Sequence, residues 1–207
     1  MLTHKHPITK RLQVIYMLLV CGILGITAVL LQSLHVAQNS NTTAPGVQVD
    51  TFNGVPVYYN GAIDHVIAKH VTKSGYNLGL KWQCVEFVKR YYYIHFNHEM
   101  PDASGNAKDF FDKSLPDASY NYNRALVQYA NPSLKAPAVD DILVFDGHLG
   151  NKYGHIAIIT AVSETDIEII QQNPGPNESS RKRIELKKNG ARYVVEDKHV
   201  LGWMRIE

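Results

Sequence analysis

The sequence predicts an α+β domain, in which one helix packs on an antiparallel sheet, preceded by one N-terminal transmembrane helix. Three observations support this prediction: an uncharged apolar stretch near the N-terminus, one helical pattern in the middle of the chain, and several short apolar strands after it. The 207 residues suffice for one domain with an appendage. With 19% charged and 10% aromatic residues, the composition excludes a disordered, collagen-like or coiled-coil protein.

The positive charge of the chain is concentrated at its N-terminus. The formal net charge is +2, from 21 Lys and Arg against 19 Asp and Glu. Residues 1–45 contain Lys5, Lys10 and Arg11 but no acidic residue, which leaves 18 basic and 19 acidic residues, a net charge of −1, for the remainder. A nucleic-acid-binding domain would be strongly basic, so we expect no nucleic-acid partner.

The apolar stretch extends from Leu12 to Leu31 and contains no charged residue. Twenty helical residues span about 30 Å, which is the thickness of the hydrocarbon core of a bilayer. The basic residues lie before this stretch, and no Lys or Arg follows until Lys69. The positive-inside rule therefore predicts that residues 1–11 are a cytoplasmic basic flank and that residues 12–34 are a transmembrane anchor.

A cleaved signal peptide is the alternative for this segment, and the domain would then be secreted. Signal peptides usually have an apolar stretch of about 7–15 residues and an A-x-A-like cleavage site. The best candidate site, from His35 to Ala37, has a bulky residue where a small one is needed, so we favour the anchor. Residues 35–49 are polar and contain Pro and Gly, which predicts a linker, and residues 50–207 are long enough for a single domain.

Cys84 is the single cysteine of the predicted domain, because Cys21 lies in the apolar stretch. Burial as an inert side chain is the default for such a cysteine, so its surroundings have to decide. From Trp82 to Phe96, apolar residues recur mainly at spacings of three and four, which predicts a helix with Cys84 in its first turn. The positive end of the helix dipole would lower the pKa of the Cys84 thiol and favour the nucleophilic thiolate.

Short segments rich in β-branched residues predict an antiparallel sheet after an irregular region at residues 102–124. Residues 142–145 are predicted to form a buried strand. Residues 153–162 and 167–173 are predicted to form a hairpin, with its turn at residues 163–166. Further strands are expected near residues 182–187, 192–196 and 200–206, with a hairpin turn at Asn189-Gly190.

The register of the first hairpin decides which side chains lie beside His155, at the start of the outgoing strand. A turn with three central residues places His155 opposite Asn173, and Gln171 then shares the face of His155, because side chains on one face recur every two residues. A turn with two central residues would place Gln172 on that side instead.

A cysteine at a helix start, a histidine at a strand edge and a polar residue beside that histidine are the components of a cysteine hydrolase. The predicted catalytic residues are Cys84 as nucleophile, His155 as the base that holds the thiolate in an ion pair, and Gln171 as its orienting partner. The backbone N–H of Cys84 and the side chain of Gln83 are predicted to stabilise the oxyanion. His148 is a rival base. No metal-ligand spacing, phosphate loop or dinucleotide fingerprint is present, so we expect no metal and no cofactor.

Five sequence blocks carry a family resemblance: GLKWQCVEFVKR, PAVDDILVF, YGHIAIIT, IIQQN and LGWM, in this order. Together they resemble the CHAP family of cysteine amidohydrolases and peptidases, in particular the amidase half of bifunctional glutathionylspermidine synthetase/amidase. The resemblance covers nearly all of residues 50–207 and implies a papain-like fold. It also implies that Cys84 is the nucleophile, His155 the base and Gln83 an oxyanion contributor.

The sequence departs from the family pattern at two positions. Gln171 stands where the family commonly has a carboxylate. It can accept a hydrogen bond from the histidine but cannot stabilise an imidazolium by charge, and Asn173 is the alternative orienting residue. Lys89 stands where the amidase half usually has Arg, which loses bidentate recognition of a carboxylate. We expect Trp82, Lys89 and Asn173 to contact the substrate. The synthetase half is absent, so no ligase activity is implied.

These observations predict a membrane-anchored extracytoplasmic cysteine amidohydrolase or peptidase of the inner or plasma membrane. Its substrate would be a peptide or a small amide, first of all a peptide of the peptidoglycan cell wall, cleaved through a thioester. Its second partner would be the membrane, through the N-terminal helix. The alternatives are a glutathionylspermidine-type amidase and a catalytically silent CHAP-like binding module that lost turnover through the change at Gln171. The near-neutral charge of the domain does not discriminate between them.

Overall fold

An eight-stranded antiparallel sheet is the largest element among the described residues. The chain divides into two compact units, Met1–Thr42 and Thr43–Glu207, and the sheet belongs to the second. Residues 43–49 of the predicted linker are therefore part of the folded unit. The structure is a computed structural model, and it describes residues 15, 17, 18, 20–22, 25–27, 43–175 and 177–207.

The helices and strands of the second unit are short. Its α-helix, α1, comprises Cys84–Phe96, and a 3₁₀ helix comprises Ala107–Phe110. The strands, from β1 to β12, are Gln48–Phe52, Val55–Tyr58, Lys69–Val71, Asn77–Leu80, Ser119–Asn121, Leu126–Ala130, Ile142–Phe145, His155–Val162, Asp166–Ile170, Arg181–Asn189, Arg192–Val195 and Val200–Arg205.

The strand order of the large sheet is β11-β10-β9-β8-β7-β12-β6-β5, and every neighbouring pair is antiparallel. Strands β1 and β2 pair with each other, as do β3 and β4. Backbone hydrogen bonds in both directions join Ser133, after β6, to Tyr193 in β11, so the sheet curls back towards its own edge. This curvature encloses one of its faces.

Both faces of the central strands are buried, which explains why their sequences are continuous apolar runs. In β7, Ile142 and Val144 contribute to one apolar cluster, and Leu143 and Phe145 contribute to the other. The first cluster contains the side chains of α1 that pack on the sheet, among them Phe87. The second contains side chains of the strands alone, which the curled sheet buries against itself.

The predicted buried strand at residues 142–145 is confirmed, since β7 has these bounds and all four side chains are buried. Near His155 the β8–β9 register is also the predicted one, because Ile158 pairs with Ile170 and Ile159 with Ile169. At the turn, Val162 pairs with Ile167, which leaves residues 163–166 between them, as predicted for the turn bounds, and four central residues where the register assumed three. A bulge between Ile159 and Ala161 then restores the register towards the start of β8.

The prediction of an α+β domain preceded by one N-terminal transmembrane helix is wrong. The described residues form mostly antiparallel sheet, and α1 is the only α-helix within residues 43–175 and 177–207. None of the described helices is long and apolar enough to cross a membrane. The prediction relied on hydropathy, which scores the transfer of side chains into lipid and does not by itself establish a continuous helix. Residues 1–11, and the other masked positions of residues 12–34, lie outside the described part of the chain.

The close packing of the curled sheet predicts a large effect of Gly202→Ala. Gly202 lies in β12 between Ala130 and Val144, and an added Cβ would overlap the carbonyl oxygen of Tyr129 and lie 2.7 Å from the ring of Phe111. We expect the free energy of unfolding, measured by urea denaturation, to fall by about 3 kcal/mol.

Gly190→Ala is the matched control, because a Cβ at Gly190 meets no atom within 4 Å. Its backbone φ of +62° limits the expected loss to about 1 kcal/mol. An equal loss in both variants would contradict the packing argument.

Candidate active site

Cys84 is the first residue of α1, and its side chain points to the start of β8. The residue is 9% exposed, and its sulfur interacts with the backbone N–H groups of Ile156, Val85 and Cys84 itself. Burial raises the pKa of the Cys84 thiol, and these N–H groups do not offset the rise. The prediction of a lowered cysteine pKa is therefore wrong. Desolvation of the thiolate raises the pKa by more than the N–H groups at the helix start lower it.

His155 begins β8, and Gln171 follows the end of β9. The Nε2 atom of His155 lies 3.0 Å from Oε1 of Gln171, and Nε2 of Gln171 donates to the carbonyl of Ser179 at 2.9 Å. Because the Gln171 oxygen can only accept, His155 Nε2 must carry the proton. The lone pair of the neutral ring is therefore on Nδ1, and the sequence-predicted pairing of His155 with Gln171 is present in the structure.

The electrostatics of the site favour two neutral groups. Burial lowers the pKa of His155 to about 4, although the hydrogen bond to Gln171 raises it, and the charge of Lys182 lowers it further. The pKa of the Cys84 thiol is raised, as described above. Near pH 7 the pair is consequently a thiol and an imidazole. The predicted thiolate–imidazolium ion pair is not the resting state of this structure.

Gln83 precedes Cys84, and its side chain is already occupied. Its Nε2 donates to the carbonyls of Ile63 at 3.2 Å and His65 at 2.9 Å, while its Oε1 accepts from Nδ2 of Asn173 at 2.6 Å. The side-chain oxygen of Asn173 is buried and has no hydrogen-bond partner among the described residues. Asn173 therefore contacts Gln83, and of the two candidates Gln171 is the one that is hydrogen-bonded to His155.

A cavity of about 490 Å³ is lined by Cys84, His155, Gln83 and Asn173. This volume is in the range of small-molecule binding sites. The charged side chains of its wall are one carboxylate and one ammonium, and much of the remaining wall is apolar. The charged pair is Asp64 and Lys69, and the apolar residues are Ile63, Val66, Leu80, Val85, Ala103, Ala107 and Tyr153.

A second cavity, of about 320 Å³, shares His155 with the first but does not include Cys84. Its wall contains Gln171, and it carries more carboxylates than ammonium groups: Asp146, Glu178 and Asp197 against Lys182. Two further histidines, His148 and His199, line it with their ring centroids 4.8 Å apart. His148 thus lines the cavity that does not include Cys84.

Two residues expected to contact the substrate are absent from the described walls of both cavities. Trp82 packs against Tyr58, with 4.1 Å between the ring centroids. Lys89 is fully buried, and its Nζ donates to the carbonyls of Asn77 and Ala103, two residues of the first cavity's wall. Burial lowers the pKa of Lys89 to about 8, as does the charge of Arg124, while Asp102 opposes them. Lys89 therefore lies behind the wall of the first cavity and stabilises it through these two hydrogen bonds.

Sequence reasoning missed a buried group behind Cys84. The carboxylate of Glu86 accepts hydrogen bonds from Nδ1 of His70 at 2.7 Å, Nε of Arg90 at 2.6 Å and Nε2 of Gln172 at 2.8 Å. Burial raises the pKa of Glu86, but these hydrogen bonds outweigh it, so the net shift is downward and the carboxylate stays ionised. In the sequence, the i, i+4 spacing of Glu86 and Arg90 beside the apolar Phe87 could have indicated this buried ion pair.

Within the described part of the chain, no group of three or more His, Cys, Asp or Glu side chains is placed to hold a metal ion. The site is instead a thiol, an imidazole and amides around one cavity. These groups are the minimum for a cysteine hydrolase that attacks a carbonyl carbon.

Comparisons with known proteins agree with this class. Residues 75–173 match the family model of the CHAP domain. The bifunctional glutathionylspermidine synthetase/amidase of Escherichia coli is 30% identical over 138 residues, which cover 61% of this chain and 22% of that protein. The glutathionylspermidine synthase of Crithidia fasciculata is 27% identical over 183 residues, covering 76% and 26%. These matches support a cysteine amidase/hydrolase, and the chain spans about a quarter or less of the length of these relatives.

A solved structure, the crystal structure of Ly7917, aligns with 18% identity over 59% of this chain and 52% of that one, with a TM-score of 0.35. This score is too low to support a structural conclusion.

The contact between His155 and Gln171 predicts opposite pKa shifts in two variants. Gln171→Glu places a carboxylate beside the ring, which stabilises the imidazolium, and we expect the pKa of His155 to rise by about 1–2 units from its value near 4. Gln171→Met has a similar length but cannot accept the hydrogen bond, so the pKa should fall.

NMR titration of the imidazole resonances, in a Cys84→Ala background, measures both values. Shifts in the same direction in the two variants would contradict the assignment of Gln171 as the partner of His155.

Proposed function

We propose that the domain hydrolyses an amide bond through a thioester on Cys84, with His155 first as general base and then as general acid. The observation that carries this proposal is that Cys84 and His155 line one cavity, while Gln171 holds the proton of the imidazole on Nε2. The remaining lone pair, on Nδ1, can then receive the proton of the thiol.

The neutral resting state determines the first step of the proposed reaction. The sulfur of Cys84 attacks the carbonyl carbon as its proton moves to Nδ1 of His155, and a tetrahedral oxyanion forms. The C–N bond then breaks, and the departing amine takes the proton from Nδ1. Water attacks the thioester with His155 again as base, which releases the acid and restores the thiol. Gln171 accepts a hydrogen bond from the ring throughout and supplies no charge.

The oxyanion requires a donor that the substrate can reach. The backbone N–H of Cys84 is one such donor in the proposed mechanism. The side-chain N–H groups of Gln83 already donate to the carbonyls of Ile63 and His65, so a substrate carbonyl has to displace one of them. An oxyanion-hole donor of this kind contributes about 3–4 kcal/mol to the transition state.

The first candidate substrate is a peptide of the cell wall. The cavity beside Cys84 has one carboxylate, one ammonium and an otherwise largely apolar wall, so it suits a nearly neutral peptide segment. Lys89 is buried behind the wall and does not offer a charge to a substrate carboxylate. Both features favour an acyl group without an anionic anchor.

The second candidate substrate is a glutathionylspermidine-type amide, in keeping with the names of the E. coli and C. fasciculata relatives. The observation that favours it is the carboxylate of Glu178 in the cavity that shares His155, where Asp146 pairs with Lys113 and Asp197 with Lys182. An amine that carries a further positive charge would be attracted there, on the side of the histidine that protonates it. A silent binding module is the third possibility, and the same assay tests it.

We expect Cys84→Ala to abolish amide hydrolysis by the purified full chain, because the thioester cannot form. The loss should be at least about 1,000-fold. Muropeptides and glutathionylspermidine are the two substrates, and release of the free amine is measured.

Cys21→Ala is the matched control and should retain full activity. Hydrolysis that survives Cys84→Ala would exclude the cysteine mechanism. Hydrolysis of neither substrate, with a Cys84 thiol that does not react with a peptide aldehyde, would favour the binding module.

We also propose that the domain lies outside the cytoplasm. This proposal does not involve a membrane-spanning helix. The basic residues before the uncharged stretch, and the absence of Lys and Arg after it until Lys69, support export by this segment.

In a bacterial host, we expect the exported domain of the full chain to be digested when protease is added to spheroplasts. Lys10→Glu with Arg11→Glu reverses the charge asymmetry and should protect it. Equal protection of both forms would contradict the proposal.

A further inference from the structure

Gln172 is fully buried between the end of β9 and the first turn of α1. Its Nε2 donates to the backbone carbonyl of Gln83 at 3.0 Å and to Glu86 at 2.8 Å. Its Oε1 accepts from the backbone N–H of Tyr58 at 2.8 Å and from Nη2 of Arg90 at 3.3 Å. Both hydrogens and both lone pairs of the amide are therefore used.

The contact with Gln83 bears directly on the reactive cysteine. The carbonyl of Gln83 and the N–H of Cys84 belong to one planar peptide unit, so fixing the direction of the carbonyl fixes the direction of the N–H. The same carbonyl also accepts the first hydrogen bond of the helix, from the N–H of Phe87 at 3.2 Å. The side chain of Gln83, the N-cap residue of α1, makes no capping hydrogen bond to the helix.

The position requires a neutral amide. A glutamate there could accept from Tyr58 and Arg90 but could not donate to Gln83, and it would place a second carboxylate against Glu86. A methionine would fill a similar volume and make none of the four hydrogen bonds. Gln172 is absent from the described walls of both cavities, so it does not contact the substrate.

We propose that Gln172 is a positioning residue, which orients the Gln83–Cys84 peptide so that the Cys84 N–H is aimed at the oxyanion. This inference rests on the proposed function of Cys84 as the nucleophile. It gives Gln172 a role separate from that of its neighbour Gln171. Gln171 keeps the proton of His155 on Nε2, and Gln172 fixes the direction of the Cys84 N–H that stabilises the developing negative charge.

The test separates oxyanion stabilisation from thiol reactivity in the full chain. N-Acetylglycinal, a peptide aldehyde, forms a thiohemiacetal with Cys84 whose oxygen mimics the oxyanion, so its affinity measures the donor. Alkylation of Cys84 by iodoacetamide involves no oxyanion, so its rate measures the thiol alone. Neither readout requires the natural substrate, and the failure of the proposed function would appear separately, as an unmodified Cys84 or as amide hydrolysis unaffected by Cys84→Ala.

For Gln172→Met we expect aldehyde affinity to fall at least tenfold, with the alkylation rate within about threefold of the wild-type rate. Gln128→Met is the matched control, since Gln128 is also a buried glutamine of the sheet, with hydrogen bonds to Asp112 and Asn121. It should leave both readouts unchanged.

Gln172→Glu keeps the two acceptor contacts and serves as the second variant if Gln172→Met does not fold; it should weaken aldehyde binding equally. Wild-type aldehyde affinity in a folded Gln172 variant, or an equal loss in Gln128→Met, would overturn the proposal.

Discussion

The contact between the end of β9 and the first turn of α1 is the constraint on which the site depends. Three consecutive residues after β9 each contact a different part of it: Gln171 bonds to His155, Gln172 to the carbonyl of Gln83, and Asn173 to the side chain of Gln83. The segment leaves the strand here, and Asn173 has a left-handed backbone with φ +56°, so its three side chains reach different partners and hold the base and the helix start together. The position of the thiol relative to the imidazole follows from this packing.

Burial decides the protonation of the site. Desolvation raises the pKa of the Cys84 thiol and lowers that of His155 to about 4, so each group is neutral before the substrate binds. A carboxylate partner would favour the imidazolium, whereas the amide of Gln171 does not add charge. The glutamine that replaces the usual carboxylate is therefore consistent with a base that starts uncharged. In the proposed mechanism, charge separates during the attack on the carbonyl, where the oxyanion donors act.

The two cavities that share His155 have different electrostatic character. The cavity with the thiol is nearly neutral, and the cavity with Gln171 contains the carboxylate of Glu178 beside the ion-paired Asp146 and Asp197. In the proposed mechanism the acyl group stays with the sulfur and the amine leaves towards the histidine, so the two walls would select the two halves of the amide separately. The similarity to glutathionylspermidine synthetase/amidase concerns a limited part of that protein, 22% of its length, and the choice between the candidate substrates depends on these walls.

The amino-acid sequence by itself determined the local elements and identified Cys84 and His155, which line one cavity. Apolar periodicity located α1 with Cys84 in its first turn, and the run at residues 142–145 located β7, because burial of one stripe or of both faces leaves a pattern along the chain. Hydropathy failed for the N-terminal segment, where an apolar window was taken for a membrane-crossing helix. The tertiary structure alone decided three features. The first is the bulge that sets the register at His155, and the second is the burial that raises the pKa of Cys84 instead of lowering it. The third is the position of Lys89 and Trp82 outside the cavity walls. It also revealed Gln172 and Glu86, since hydrogen bonds between residues more than 80 positions apart follow no local pattern and exist only once the sheet and the helix have packed together.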